Sequence, residues 1–178
     1  MYKVDGNSLG GGGGCGDGGG AVKTPVVLQE VDPTDGVTTM GDAVEILDRD
    51  PEGADGLLVE APILVYTERG GVYVMGFSSH CCKGGEYDVK YATAPSVRGM
   101  FTRGGVLLRR GDVGGRLYLP VGAMVEEGGG GRMIFYADER AGDARARQMW
   151  TAGIEVVGGE VRISEEVQLV SVEGKGGT

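Results

Sequence analysis

One carboxyl group in this sequence keeps apolar company. Glu60 lies in "GLLVEAPILVYTE", flanked by Leu57, Leu58, Val59, Ala61, Pro62 and Ile63. Such surroundings disfavour the ionised form, and a carboxyl that keeps its proton can do acid chemistry. On residue physics alone the plainer reading is a strand-edge glutamate facing water, because charged residues are seldom buried. Further along, His80 stands beside Cys81 and Cys82 in "GFSSHCCKGG", with Cys15 the one other cysteine. These are ligand types for zinc, but adjacent residues do not converge on one ion as a C-x-x-C pair does, so no metal is expected. A third candidate is the tract "NSLGGGGGCGDGGGAVKT", Asn7 to Thr24. Its Lys-Thr ending suits a phosphate loop, yet Val22 occupies the place where the motif needs glycine. The continuation, "TPVVLQEV", is a β-branched run after a proline, not a helix whose N–H groups could face an anion. No nucleotide or other cofactor is expected.

The elements that must position these residues are strands. Segments of helical period are nearly missing, whereas short β-rich runs bounded by glycine and acidic turns recur throughout. Candidate strands are "PVVLQEV", "DAVEILD", "LLVEAPILVYTE", "GVYVMGFSS", "YDVKYAT", "GVLLRR", "LPVGAMVEE", "RMIFYAD", "RQMWTAGIEV" and "GEVRISEEVQLVSV". The chain is read as all-β. Its 178 residues suffice for a real core, and the 37 glycines, with no collagen-like period, imply a turn-rich β structure or partial disorder. The formal charge of −9 disfavours nucleic acid as a partner. No apolar run approaches the roughly 20 residues of a membrane helix, so no membrane association is expected. The start "MYKVDGN" lacks the order of a signal peptide.

Two hairpins repeat one pattern: "APILVYTERGGVYVMGFSS" and "VGAMVEEGGGGRMIFYADE", each succeeded by an aromatic strand, "YDVKYA" or "RQMWTA". The turns "ERGG" and "EEGGGG" supply glycine where tight hairpins need positive φ. The period of about 60 residues is close to the length of a four-stranded propeller blade. A ring closes with typically 4 to 8 blades, and the chain holds roughly three of that length. Three portions are expected: an incomplete blade over 1–56 with the glycine loop, a blade over 57–118 that carries Glu60, and a following blade with a C-terminal strand over 119–178.

The stretch from Gly56 to Gly99 resembles glycosyl hydrolase family 43, in which a V-E-[GA]-P segment opens a blade, a hairpin ends in F-x-S-S, and Y-x-V-x-Y-A-T comes after it. "YKVDGNSLGGGG", "TPVVLQEV" and "GDAVEILDRD" look like the preceding stretch of fungal members, and "GRMIFYAD" like the next blade, so the resemblance covers about Tyr2 to Ile163. It implies a portion of a five-bladed β-propeller, about three of the five blades. It further implies an arabinofuranosidase or xylosidase acting with inversion on plant cell-wall polysaccharide. In such enzymes a glutamate is the general acid, one aspartate the base that activates water, and a second aspartate tunes the acid; acid and base stand roughly 6.5–9.5 Å apart to admit the water.

Glu60 maps onto the general acid. The base and the modulating aspartate fall ahead of the matched segments, so the chain is expected to be an N-terminally truncated, weakly active or inactive form. Asp5, Asp42, Asp48 and Asp50 read as turn or strand-end residues. The alternative is a non-catalytic carbohydrate-binding or vestigial propeller protein. The resemblance places His80 on the active-site side, where its imidazole could bond a sugar hydroxyl; a loop histidine without a defined task is the other reading. Cys15 in the glycine loop could reach Cys81 or Cys82 to form a disulfide, which needs an oxidising compartment and fits an extracellular location for the complete ancestor. "LPVGAMV" has no histidine and is expected to hold no ion. Trp150 and Tyr136 could stack on sugar, although burial is commoner for strand aromatics. An unpaired propeller edge could promote self-association.

Overall fold

A computed structural model describes residues 1–5, 22–50, 52–53, 55–125, 131–138, 147–164 and 166–170, with the side chains of 123–125 left aside. Three antiparallel sheets succeed one another along the chain. The first contains β1 (Tyr2–Lys3), β2 (Val26–Val31) and β3 (Thr39–Leu47); the second β4 (Val59–Thr67), β5 (Val72–Ser79), β6 (Asp88–Ala94) and β7 (Thr102–Leu108). A four-residue helical turn, α1 (Asp112–Gly115), leads to the third: β8 (Tyr118–Val125), β9 (Arg132–Asp138), β10 (Arg147–Val157), β11 (Glu160–Ile163) and β12 (Gln168–Leu169). Strands pair in chain order, except that β11 and β12 share one edge of β10 as two separate pieces. The opening strands β1, β4 and β8 contact their counterparts in the neighbouring sheets, as inner strands of successive blades do.

Hairpin chemistry sets the strand limits. Between β4 and β5 the chain turns at Glu68–Gly71, where Gly71 has φ 61° and its N–H bonds to the Thr67 carbonyl at 2.8 Å. A residue with a Cβ disfavours that φ, so the glycine fixes the register Thr67↔Val72. The corresponding "EEGGGG" turn lies mostly outside the described residues.

The middle sheet is packed on both faces. Met75 and Phe77 of β5, with Ala92 and Ala94 of β6 and Val59, join Val26, Ile46 and Leu47 of the first sheet. Val74, Val89, Tyr91 and Leu108 join Met133, Phe135, Trp150, Ala152 and Ile154 of the third. A strand covered on both sides has no solvent face to mark with polar residues, which is why "VYVMGF" reads as a near-continuous apolar run. Strand β9 differs. Met133, Phe135 and Ala137 are buried in alternation with Arg132, Ile134 and Tyr136, which face outward. Among the described residues no helix is long and apolar enough to cross a membrane.

Candidate functional site

Glu60 stands at a break in the β4 ladder. It pairs with Ser78, but the next matched pair is Ile63 with Gly76, so Ala61 and Pro62 oppose Phe77 alone. Proline cannot donate to a ladder, and a bulge is one of the few places a strand tolerates it. Ala61 takes the strained positive φ of 48° that completes the bulge. Bulges redirect the side chains beside them. The Glu60 side chain, 29% exposed, has its Oε1 bonded by the Tyr87 hydroxyl and its Oε2 3.9 Å from Lys3 Nζ, beyond hydrogen-bonding distance. Its surroundings are therefore neither the apolar pocket its sequence neighbours suggest nor open water.

Tyr87 is buried, just ahead of β6. Burial first, then the hydrogen bond to Glu60 and the Glu60 charge, push its phenol well above the ordinary tyrosine range. At neutral pH it is thus a fixed hydrogen-bond donor.

The opposite face of the same strands holds a compact set of charges. Asp55 is fully buried; its Oδ1 accepts from Lys90 Nζ at 3.2 Å, and its Oδ2 accepts from Arg103 Nε at 2.8 Å and the Asp50 N–H at 3.0 Å. Lys90 also lies 3.7 Å from Asp88 Oδ2, and Arg103 reaches on to the Asp48 carbonyl at the end of the first sheet. Two carboxylates and two cations balance, which is what permits them in the interior.

His80 borders this set. It comes directly after β5 with φ 66°, its N–H bonds to the Asp55 carbonyl at 2.9 Å, and its Nδ1 lies 3.1 Å from Ser79 Oγ and 3.5 Å from Asp88 Oδ1. Ser79 has one hydroxyl proton and gives it to Asp88, so the neutral imidazole must donate from Nδ1 and keep a lone pair on Nε2. Such a ring can accept a hydrogen bond from a ligand hydroxyl.

The remaining candidates divide by burial and by whether the structure describes them. Cys81 is disulfide-bonded and Cys82 is an exposed free thiol, while Cys15 and the rest of the glycine tract up to residue 21 lie outside the described residues. Among the described residues no three His, Cys, Asp or Glu side chains converge as a metal site would require. Asp48 and Asp50 lie just after β3, and Asp42 sits within it. Trp150 is wholly buried, with the Arg116 guanidinium 5.1 Å from its ring centroid, whereas Tyr136 is 49% exposed. Sequence reasoning missed Tyr87, Asp55, Asp88, Lys90 and Arg103. One signal was present: Asp88 and Lys90 alternate within the otherwise apolar "YDVKYATA", and two charges on one face of a buried strand require partners.

No family model matches the sequence, and no curated protein matches it either. Solved structures do. A thermostable family-43 glycoside hydrolase superposes with TM-score 0.63 at 22% identity, covering 81% of this chain and 48% of that one. An endo-1,4-β-xylanase from Bacteroides thetaiotaomicron VPI-5482 gives 0.58 at 20%, covering 79% and 58%. A GH43 endo-arabinanase from Bacillus licheniformis gives 0.59 at 21%, covering 79% and 48%. At these identities the likeness establishes the fold. The chain has the fold of part of the five-bladed β-propeller of family-43 glycoside hydrolases. It spans about half the length of the structures it matches.

Proposed function

We propose that the chain is the acid-bearing part of a glycoside hydrolase that cleaves arabinofuranosyl or xylosyl linkages of plant polysaccharides with inversion. The observation that carries this reading is Glu60, a partly exposed carboxyl at an inner-strand bulge, with Oε1 engaged by Tyr87 and Oε2 beyond hydrogen-bonding distance of Lys3. Protonated on Oε2, it would deliver that proton to the glycosidic oxygen as the C–O bond breaks. A second carboxylate, across the sugar, would take a proton from the water that adds to the anomeric carbon. His80, with its Nε2 lone pair, would accept from a sugar hydroxyl.

The resemblance places the second carboxylate ahead of the segments this chain matches. Asp55 and Asp88 are buried and committed to Lys90 and Arg103 on the other face of the sheet. The 178-residue protein by itself is therefore expected to release little or no nitrophenol from arabinofuranoside and xyloside substrates. Strong turnover that vanishes in Glu60→Gln would refute the inactivity and uphold the acid; strong turnover that survives Glu60→Gln would sink the acid assignment.

The same pairing of carboxylates favours a second reading, a carbohydrate-binding protein without catalysis. Calorimetric titration with arabino- and xylo-oligosaccharides tests it. Binding unaffected by Glu60→Gln but weakened by His80→Ala, with no hydrolysis, is its expected signature.

A further inference from the structure

We propose that Tyr87 is a positioning residue for Glu60: its buried hydroxyl occupies Oε1, holds the carboxyl in one rotamer, and leaves Oε2 as the atom that carries and releases the proton. This rests on the reading of Glu60 as the acid. Tyr87 is hydrogen bonded to Glu60 from one strand beyond β5, the direct partner of β4, so the contact ties the first and third strands of the sheet at the bulge. The ring is 1% exposed and cannot swing away without opening the core.

The segment that carries it is itself held. Asp88, the next residue, turns to the opposite face, where Ser79 and Lys90 hold its carboxylate. The backbone at 87–88 is thus pinned from both sides of the sheet, and the phenol is aimed by groups that never approach the carboxyl. A phenol donating to Oε1 suits both states of the acid. It bonds the carbonyl oxygen while Oε2 bears the proton, and it bonds the carboxylate after the proton has left. The high phenol pKa keeps that donor intact through the pH range in which a carboxyl titrates.

A nuclear magnetic resonance experiment on the full 178-residue chain, with labelled glutamate and tyrosine, tests the assignment. In Tyr87→Phe, side-chain couplings of Glu60 are expected to change from those of a single rotamer to averaged values, while Val59 and Ser78 keep their shifts. A Glu60 rotamer that stays fixed in Tyr87→Phe overturns the proposal. Should the variant fail to fold, Glu60→Gln serves instead. With the carboxylate gone, Tyr87 is expected to ionise at lower pH than in the parent yet still above an exposed tyrosine, because burial remains. An unchanged Tyr87 titration overturns the proposal equally. Neither readout depends on hydrolysis, so failure of the acid reading in the glycoside assay stays distinguishable from failure of the contact.

Discussion

The inner strands β4 and β8 carry the same kink. In β4 the ladder skips from Glu60 to Ile63 across Ala61 and Pro62; in β8 it skips from Tyr118 to Val121 across Leu119 and Pro120. Ala61 has φ 48° and Leu119 φ 50°. Successive blades thus repeat a proline bulge, and the difference lies in the residue that immediately precedes it. In one it is a carboxyl held by a phenol; in the other it is Tyr118, whose ring lies 5.1 Å from the Arg110 guanidinium. The approaches differ too. The chain enters the β4 bulge past Asp55, fixed by buried charges, and enters the β8 bulge past Leu117, buried in the apolar core shared by the second and third sheets. The comparison teaches that the fold supplies a redirected position in both of these blades, and that its chemistry is set by which residue stands there and how its approach is anchored.

The largest effect should come from the charged anchor. Asp55→Ala removes the buried carboxylate that Lys90 and Arg103 share, although Lys90 keeps Asp88 at 3.7 Å, and is expected to destabilise the fold by about 3 kcal/mol in urea denaturation. Glu60→Gln should change stability by less than about 1 kcal/mol, since the amide oxygen still accepts from Tyr87. Equal losses would break the distinction between a structural and a chemical carboxyl.

A smaller effect is expected next to the anchor. Gly56 has φ 64°, and a Cβ there would sit 2.6 Å from His80 Cδ2. Gly56→Ala should cost about 1–2 kcal/mol in backbone strain alone and displace the His80 ring signals in a proton–carbon spectrum. A silent substitution would mean that the approach to β4 is looser than its hydrogen bonds indicate.

The last effect is absent at neutral pH and appears only under alkaline conditions. The Tyr87 phenol binds its proton more tightly when folded than when unfolded, where its pKa is the ordinary value of 10.0. Its contribution to stability is therefore complete below roughly pH 10 and is lost above it, at about 1.4 kcal/mol per pH unit. Denaturation at rising alkaline pH should show this slope in the parent and lose it in Tyr87→Phe.

The hairpins are legible in the sequence because turn glycines and β-branched runs are local signals. "APILVYTERGGVYVMGFSS" becomes β4 and β5 within a residue or two of its expected limits. The outer strand "GEVRISEEVQLVSV" reads as one run but pairs as β11 and β12, since a strand's continuity depends on its partner. Four residues of α1, with Val113 at φ 57°, carry no period to detect. The position of Glu60 on a strand is legible, but its surroundings are not. Neighbours in sequence along a strand point to alternate faces, so Val59 looks toward the first sheet while the true contact, Tyr87, comes from beyond β5. The Asp55 set is beyond local reasoning altogether, because its members are spread from 55 to 103 and meet only when two strands and a loop have assembled.

Arg103 shows what that spread entails. From the outermost strand of the middle sheet its guanidinium bonds Asp55 and the backbone carbonyl of Asp48, where the first sheet ends. Until both sheets are in place, Asp55 lacks the Asp50 N–H and Arg103 lacks the Asp48 carbonyl. Half-formed intermediates in which one sheet stands alone are penalised accordingly, and contacts of such long sequence separation form late. The first two sheets, joined by these bonds and by a shared apolar core, are thus expected to melt together instead of peeling apart one at a time.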